Sequence, residues 1–297
     1  MKLVGESFAG MATAATRVIE LYVPEKQRLF DDPYALSLLP AGWQILLRLA
    51  YLPGLRQVLL SLRERRMPGS LGAILCRTRY IDDVLKRSLA AGLEQVAIFG
   101  AGFDSRAYRI DGMDQVHVFE IDLPGSIAMK QKRLGKVLGR LPKFVTYIGL
   151  DFDHQSLGAA LREAGFRPDR TTLFIWEGVT QYLTAEAVDD TLRTVASSAA
   201  QGSAIVFTYV RRGLIDGSER PEWFQPLLSI ASRLGSPMVF GLKPDDLEPY
   251  LVERGFELCE DVGAADYQRR YLQPLGRQLN VFDGERAAYA AVQTSAA

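Results

Sequence analysis

The sequence predicts a doubly wound α/β protein, a mostly parallel sheet covered by helices on both faces. Three observations predict it. From about residue 95 onward, short apolar runs alternate with segments of helical length and pattern. The apolar runs are near-continuous rather than alternating, as strands buried on both faces require. The first of them, "QVAIFG" at 95–100, leads into Gly100-Ala101-Gly102 before the chain turns polar. A strand that delivers its backbone to the carboxyl edge of such a sheet has this texture.

The elements follow in order. Residues 12–39 carry helical patterning and then "RLFDDPYA", where Asp32-Pro33 suits a helix start with Asp at the N-cap and Pro at N1. Residues 41–66 read as two helices split at Pro53-Gly54. "RERRMPGS" at 63–70 is charged and then rich in Pro, Gly and Ser, so it reads as a loop. Residues 71–91 form a further helix bearing Arg77, Arg79, Lys86 and Arg87, with Gly92 near its C-terminus. Strands are expected at 95–100, 116–121, 144–149, 172–176 and 204–209, with helices near 124–138, 155–164 and 184–200. The stretch 210–244 is too long for a simple connection. It reads as an inserted lid with its own helix around 221–234. Residues 243–256 resume the core as a helix, and strands near 257–262 and 278–282 complete the sheet. The expected organisation is one domain over 1–297. It has a helical cap at 1–91, a Rossmann-like core at 92–209 and 243–297, and a lid at 210–242.

Composition narrows the function classes. The chain has 297 residues and 48% of them are hydrophobic, enough for a sizeable core. Lys+Arg and Asp+Glu are 35 each, so the formal charge is zero. A protein that lives on phosphate backbones carries a basic excess, so nucleic acid is not expected as a partner. Two cysteines, Cys76 and Cys259, without a CxxC, argue against a disulfide framework and a cysteine zinc site. Two histidines, His117 and His154, cannot supply a His-rich metal centre, and no metal is expected. Residues 1–20 hold one Lys, acidic Glu6 and no sustained apolar run, so no cleavable signal is expected and the cytoplasm is the simplest location. Oligomeric state is not indicated.

Residues 36–60 test that location. They are strongly apolar, yet Pro40, Gly42 and Pro53-Gly54 interrupt them and Arg48 and Arg56 sit inside. No run reaches the roughly 20 residues of a membrane span. The segment reads either as a membrane-touching cap or as two buried helices over the main domain. Helices this apolar are often buried in soluble proteins, so burial is the expectation.

Candidate site residues stand where the strands end. Glycines let backbone approach a ligand closely. Gly100, Ala101 and Gly102 therefore point to a nucleoside-like ligand, although Ser105 occupies the third position of a dinucleotide fingerprint. Asp122 ends the second strand twenty residues after Gly102, the interval of a ribose-binding acid. Glu120 shares its face, and Asp122 is nearer the edge. An N-cap role is the alternative for Asp122. Asp151 and Phe152 end the third strand, an acid and a ring suited to an adenine. Asp153 reads better as an N-cap. Glu177 follows the fourth strand, where the reactive part of a ligand lies; a surface acid is the other reading. Arg77, on the helix before the first strand, carries a fork able to hold a carboxylate or forms a solvated basic face.

Taken together, "RTRYIDDVL", "QVAIFGAGFDSRAYRI", "VFEIDLPGSIAMKQKRL", "LDFD", "FIWEGVTQYL" and "YLQPLGRQL" appear in order over nearly the whole chain. This resembles the leucine carboxyl methyltransferase family, in particular its bacterial S-adenosylmethionine-dependent branch. The resemblance implies a class I methyltransferase fold: a seven-stranded sheet with an antiparallel last strand, an N-terminal helical cap and an insertion after strand five. It implies S-adenosylmethionine as cofactor. Arg77 would hold the methionine carboxylate, and Gly100 with its neighbours would pass under the methionine moiety. Asp122 would take the ribose, Asp151 and Phe152 would flank the adenine, and Glu177 would face the amino group or the sulfonium. Arg17 would be the basic N-terminal residue near the carboxylate. Residues 36–70 and 210–244 show no specific match to the phosphatase-methylating members, so the acceptor does not carry over.

The acceptor is argued from chemistry. A carboxylate is ionised at neutral pH, whereas an alcohol or ordinary phenol gains from a general base. His117 is expected inside the sheet and His154 beyond the adenine site, so neither is placed for that role. The expectation is O-methylation of an acidic oxygen, a carboxylate first and an acidic hydroxyl second, on a small or medium, largely apolar substrate. Tyr182 and Tyr209 are the candidate catalytic groups. Arg109, Arg211, Arg212 and Trp223 are candidate substrate contacts, with Phe224, Leu227 and Leu228 lining the lid. An NAD-dependent oxidoreductase on a similar sheet is the competing class, and a non-catalytic S-adenosylmethionine-binding regulatory protein is a third.

Overall fold

Five apolar runs become five parallel strands: β1 (Gln95–Phe99), β2 (His117–Asp122), β3 (Val145–Gly149), β4 (Thr172–Trp176) and β5 (Ala204–Val210). With β6 (Phe256–Val262) and β7 (Glu285–Val292) they form one seven-stranded sheet in the order β3-β2-β1-β4-β5-β7-β6. β7 runs antiparallel to both β5 and β6. The computed structural model that shows this describes residues 8–293 except 153 and 234, with the backbone alone at residues 8, 9, 227 and 230.

Helices cover the sheet. The N-terminal part holds α1 (Phe8–Glu20), α2 (Ala35–Leu38), α3 (Ala41–Leu49), α4 (Pro53–Arg66) and α5 (Ser70–Ala90). Then come α6 (Arg106–Arg109), α7 (Pro124–Leu138), α8 (Leu157–Glu163), α9 (Ala185–Ser198), α10 (Arg212–Asp216), α11 (Phe224–Arg233), α12 (Leu247–Val252) and α13 (Ala264–Tyr267). The period-2 alternation of the strands divides the core. Val96, Ile98 and Val118 pack with Leu75, Ile81, Val84 and Leu85 of α5. Ala97, Phe99, Phe119 and Phe174 face the other way, onto Leu157 and Leu161 of α8 and Val188 and Leu192 of α9.

Strand register builds the edge. Phe99 pairs with Ile121 and Trp176, and Asp122 pairs with Gly149. The residues that follow β1, β2, β3 and β4 therefore emerge side by side. Val210 pairs with Glu285, so the antiparallel β7 begins where the parallel strands end.

Several expectations are corrected. The last strand is not 278–282 but β7. "ERAAYAAV" is alanine-rich and has weak strand propensity, yet Ala287, Ala288 and Ala290 are fully buried between β5 and β6. Residues 278–282 instead run along the N-terminal helices. There Phe282 N–H donates to Gly69 O at 3.0 Å, and a side chain at Gly72 would meet Asn280 O at 2.2 Å. The patterning over 12–39 resolves into α1, a short 3₁₀ turn at Glu25–Gln27 and α2. Asp32 marks the start of α2, its Oδ1 accepting from Ala35 N–H at 3.0 Å. Residues 63–66 are the last turn of α4 rather than loop. The expected helix over 243–256 shrinks to a 3₁₀ turn, Pro244–Asp246, and α12.

The largest correction concerns 36–60. α3 and α4 meet at 112°, and the pair is buried on one side only, where Leu47 and Leu60 reach the core. α4 has no buried residue, Ile45 is 61% exposed and Tyr51 is 70% exposed. Among the described residues no single helix is long and apolar enough to cross a membrane.

Candidate site at the carboxyl edge of the sheet

The glycine turn after β1 is held by the acid that ends β2. Gly100 has φ +67°, and a Cβ there would meet Val179 Cγ2 at 2.2 Å, so glycine is required. Gly102 N–H donates to Asp122 Oδ2 at 2.7 Å, and Leu123 N–H to Asp122 Oδ1 at 2.6 Å. Burial raises the Asp122 carboxyl above its ordinary range, with these two hydrogen bonds opposing. Ala101 is buried; its N–H donates to Ile121 O and its carbonyl accepts from Lys130 Nζ at 2.8 Å. Glu120 is fully buried, paired with Lys130 at 2.8 Å, and accepts from the Tyr108 hydroxyl at 2.9 Å. It therefore lies below the edge, and Asp122 lies at it.

Beside this turn stands a buried ionic cluster. Arg77, on α5, donates Nε to Glu177 Oε1 at 2.8 Å and Nη1 to both oxygens of Glu285 at 2.5 Å. Arg106 contacts Asp82 at 2.8 Å, Glu177 Oε2 at 2.6 Å, and Asp104. Arg109 donates to both oxygens of Asp82 at 2.7 Å. Arg17 donates to Asp32 Oδ2 at 2.8 Å and to Phe103 O. Asp32 also accepts from Ser105 Oγ at 2.7 Å. Four guanidiniums thus face five carboxylates (Asp32, Asp82, Asp104, Glu177 and Glu285), one negative charge in excess. Burial pushes the Glu177 carboxyl up, but Arg106 and Arg77 outweigh it and bring it down to about 2. Asp104 is likewise buried and held well below the usual carboxylate range by Arg106, Lys130 and Arg17. Burial alone would lower Arg77, and Glu285 and Glu177 raise it.

Phe152 follows β3, half-buried, its ring edge-on to Phe99 at 5.9 Å. Asp151 is half-buried beside it, its N–H donating to Gln155 Oε1 at 3.0 Å. Asp153, expected as an N-cap, lies outside the described residues. Tyr182 ends the 3₁₀ turn after β4 and feels both Glu285 and Arg77; burial raises its hydroxyl. Arg211 pairs with Glu219 at 2.9 Å and Asp283 at 3.2 Å, and Trp223 packs edge-on to Phe282 at 4.6 Å. Arg212 Nε donates to Gly241 O at 3.3 Å. The edge therefore gathers Arg77, Gly100, Ala101, Gly102, Asp122, Asp151, Phe152 and Glu177.

Other expected residues stand elsewhere. Arg109 is 3% exposed in its side chain and engaged by Asp82, so no substrate reaches it. Tyr209 is fully buried, and its hydroxyl donates to Asp261 on β6 at 3.1 Å. Burial, then Asp261, keeps that hydroxyl protonated. His117 is not inside the sheet but exposed at the start of β2, the opposite end of the strand from Asp122, and burial of its ring face lowers its pKa. His154 is exposed in the turn after β3. The side chain of Leu227 lies outside the description.

Sequence reasoning missed Arg106, Asp104, Asp82 and Glu285. A signal existed for the first two: "GFDSRAYR" places them directly after the glycine turn, and a buried Glu177 requires cations. Two clefts open in other places. One of about 450 Å³ lies between α1, α4, α5 and residues 276–279, and one of about 170 Å³ is lined by Arg212, Phe240, Tyr250 and Arg254. Neither is lined by Arg77, Asp122 or Glu177.

Comparison with known proteins adds kinship to this geometry. A family model described as leucine carboxyl methyltransferase matches residues 10–196. A protein of Frankia alni classed among the S-adenosyl-L-methionine-dependent methyltransferases is 31% identical over 289 residues, 96% of this chain and 94% of that protein. A Mycobacterium marinum protein of the same class is 34% identical over 244 residues, 77% and 74% of the two chains. Two solved structures share the fold. One, from Thermobifida fusca and classed as a methyltransferase, has a TM-score of 0.57 at 14% identity, covering 80% of this chain and 88% of that one. The other, a duf574 family protein from Streptomyces avermitilis, has a TM-score of 0.58 at 13% identity, covering 94% and 97%.

Proposed function

This chain belongs to the leucine carboxyl methyltransferase family and is an S-adenosylmethionine-dependent methyltransferase; from that premise we propose that it methylates an acidic oxygen. A carboxylate comes before an acidic hydroxyl, and the acceptor is a small or medium, largely apolar molecule. S-adenosylmethionine supplies, when bound, a methyl group already activated on a sulfonium.

The residues at the edge fit that cofactor. The cluster's negative excess complements a ligand that carries a sulfonium and an ammonium against one carboxylate. Arg77 presents a fork suited to the methionine carboxylate, in exchange for its contact with Glu285. Glu177 faces the positive end, and Arg106 positions Glu177. Asp122 keeps lone pairs for ribose hydroxyls while Gly102 and Leu123 fix its orientation. Asp151 and Phe152 border the adenine. Arg17, through Phe103 O, holds the glycine turn in place.

One observation supports the acidic acceptor. Among the described residues, His117 stands at the opposite end of β2, His154 lies in the turn after β3 beside Asp151, on the side assigned to the adenine, Tyr209 is engaged by Asp261, and Tyr182 is held protonated by burial. An oxygen that is already ionised needs no base. The protein's task is then to align the acceptor and exclude water, which supplies several orders of magnitude. Tyr182 donates to the acceptor oxygen in this reading, and Arg211 and Trp223 orient the acceptor. The segment from α10 to α11 forms the lid.

Incubation with methyl-labelled cofactor and a panel of carboxylic acids and phenols tests the proposal. Base-labile methyl esters are expected. Transfer that yields base-stable ethers only would sink the carboxylate version.

A further inference from the structure

The exposed apolar side chains of this protein are not scattered. Among the described residues, nine of the thirteen large exposed hydrophobics lie between residues 45 and 62: Ile45, Leu46, Leu49, Tyr51, Leu52, Leu55, Val58, Leu59 and Leu62. Single exposed apolar residues are ordinary, but a contiguous patch marks an interaction surface.

The pattern on α4 is ordered. Leu55, Val58, Leu59 and Leu62 recur at helical spacing and form one outward stripe. The same stripe continues into Arg65 and Arg66, which are exposed. The inward side is a different set. Arg56 donates to Tyr22 O at 3.1 Å, Arg63 to Thr16 Oγ1 at 2.7 Å, and Leu60 joins the main core. The outward stripe is therefore not the helix's seat on the protein.

Charge decides what covers it. Residues 41–66 hold Arg48, Arg56, Arg63, Arg65 and Arg66 against Glu64 alone, an excess of four positive charges in a chain that is neutral overall. Glu64 is engaged by Gly69 N–H and Asn280, whereas Arg48, Arg65 and Arg66 are exposed and make no ion pair among the described residues. Apolar side chains that end in unpaired arginines match a surface with an apolar interior and an anionic rim. We propose that the α3–α4 elbow docks on an anionic lipid surface. Its leucines enter the acyl boundary, and Arg48, Arg65 and Arg66 meet the headgroups. In this proposal the elbow lies on the surface: neither helix alone is long enough to span, and the two together are bent by 112°.

Co-sedimentation of the full chain with vesicles tests this, using phosphatidylcholine alone and an equal mixture of phosphatidylcholine and phosphatidylglycerol. Three surface arginines predict partitioning roughly a hundredfold tighter onto the anionic vesicles, weakening as salt rises. A Leu55→Gln, Leu62→Gln double variant keeps the charge and loses roughly tenfold or more of that binding. An Arg65→Gln, Arg66→Gln variant loses most of the preference for anionic lipid. Both variants change exposed residues, and thermal melts establish that they fold. Equal binding to the two vesicle types overturns the proposal, as do variants that bind like wild type. So does a dimer, seen by light scattering, that the leucine variant dissolves, for then a second copy covers the stripe.

Discussion

The edge of the sheet and the α3–α4 elbow invert the ordinary arrangement of a globular protein in opposite ways. At the edge, four arginines and five carboxylates are buried together. At the elbow, a run of leucines faces water. A chain with neutral net charge and ample apolar content could have placed each on the other side. Buried charge is tolerable only where every group is paired. Exposed apolar surface is tolerable where something else covers it. The difference teaches that the first region satisfies its charges internally, whereas the second leaves apolar side chains without a partner inside the chain.

The strongest way to break that contrast is Glu177→Gln. It weakens two charge-assisted hydrogen bonds, from Arg77 and Arg106, while Glu285, Asp82 and Asp104 still pair those arginines, and a loss of about 1.5–3 kcal/mol in urea unfolding is expected. A cost near that of a surface substitution would mean that the cluster is more open than its geometry indicates.

Acid titration reads the same cluster without mutation. The folded Glu177 carboxyl sits at about 2, below its ordinary value, and Asp104 is also depressed. The unfolded chain therefore binds more protons in acid. The stabilisation is fully present above about pH 4–5 and fades as pH falls toward 2. In Glu177→Gln the acid limb of a stability–pH curve becomes shallower. An unchanged limb would locate acid sensitivity elsewhere.

Asp122→Asn sharpens the contrast on the ligand side. It weakens the fixed acceptor between Gly102 and Leu123, and S-adenosylhomocysteine affinity is expected to fall roughly tenfold, about 1–2 kcal/mol. Equilibrium dialysis checks it.

The smallest effect belongs to the elbow. Leu59→Ser removes an exposed side chain, and the change in unfolding free energy stays within about 0.5 kcal/mol. A core-sized loss would show that α4 is packed in solution.

How much of this was legible follows the same division. Parallel strands announce themselves because burial on both faces leaves unbroken apolar runs, as in "TLFIW" at 172–176. Their carboxyl ends carry the glycine turn and Asp122 in fixed order, so that part of the site could be read. β7 could not, since Ala287, Ala288 and Ala290 are buried by their neighbours and not by their own strand propensity. Glu285 was lost with it, although it meets Arg77 across 208 residues. The exposure of α4 was also hidden, because Leu55, Val58, Leu59 and Leu62 form the same stripe whether it faces a core or an interface.

The central claim is that the buried cluster receives the amino-acid end of the cofactor through Arg77. Calorimetric titration of S-adenosylhomocysteine into wild type and Arg77→Lys tests it most directly, with circular dichroism showing both folded. Lysine keeps the charge and loses the fork. The account predicts a single site in wild type and an affinity at least roughly tenfold weaker in the variant. Equal affinity in the two proteins would contradict it.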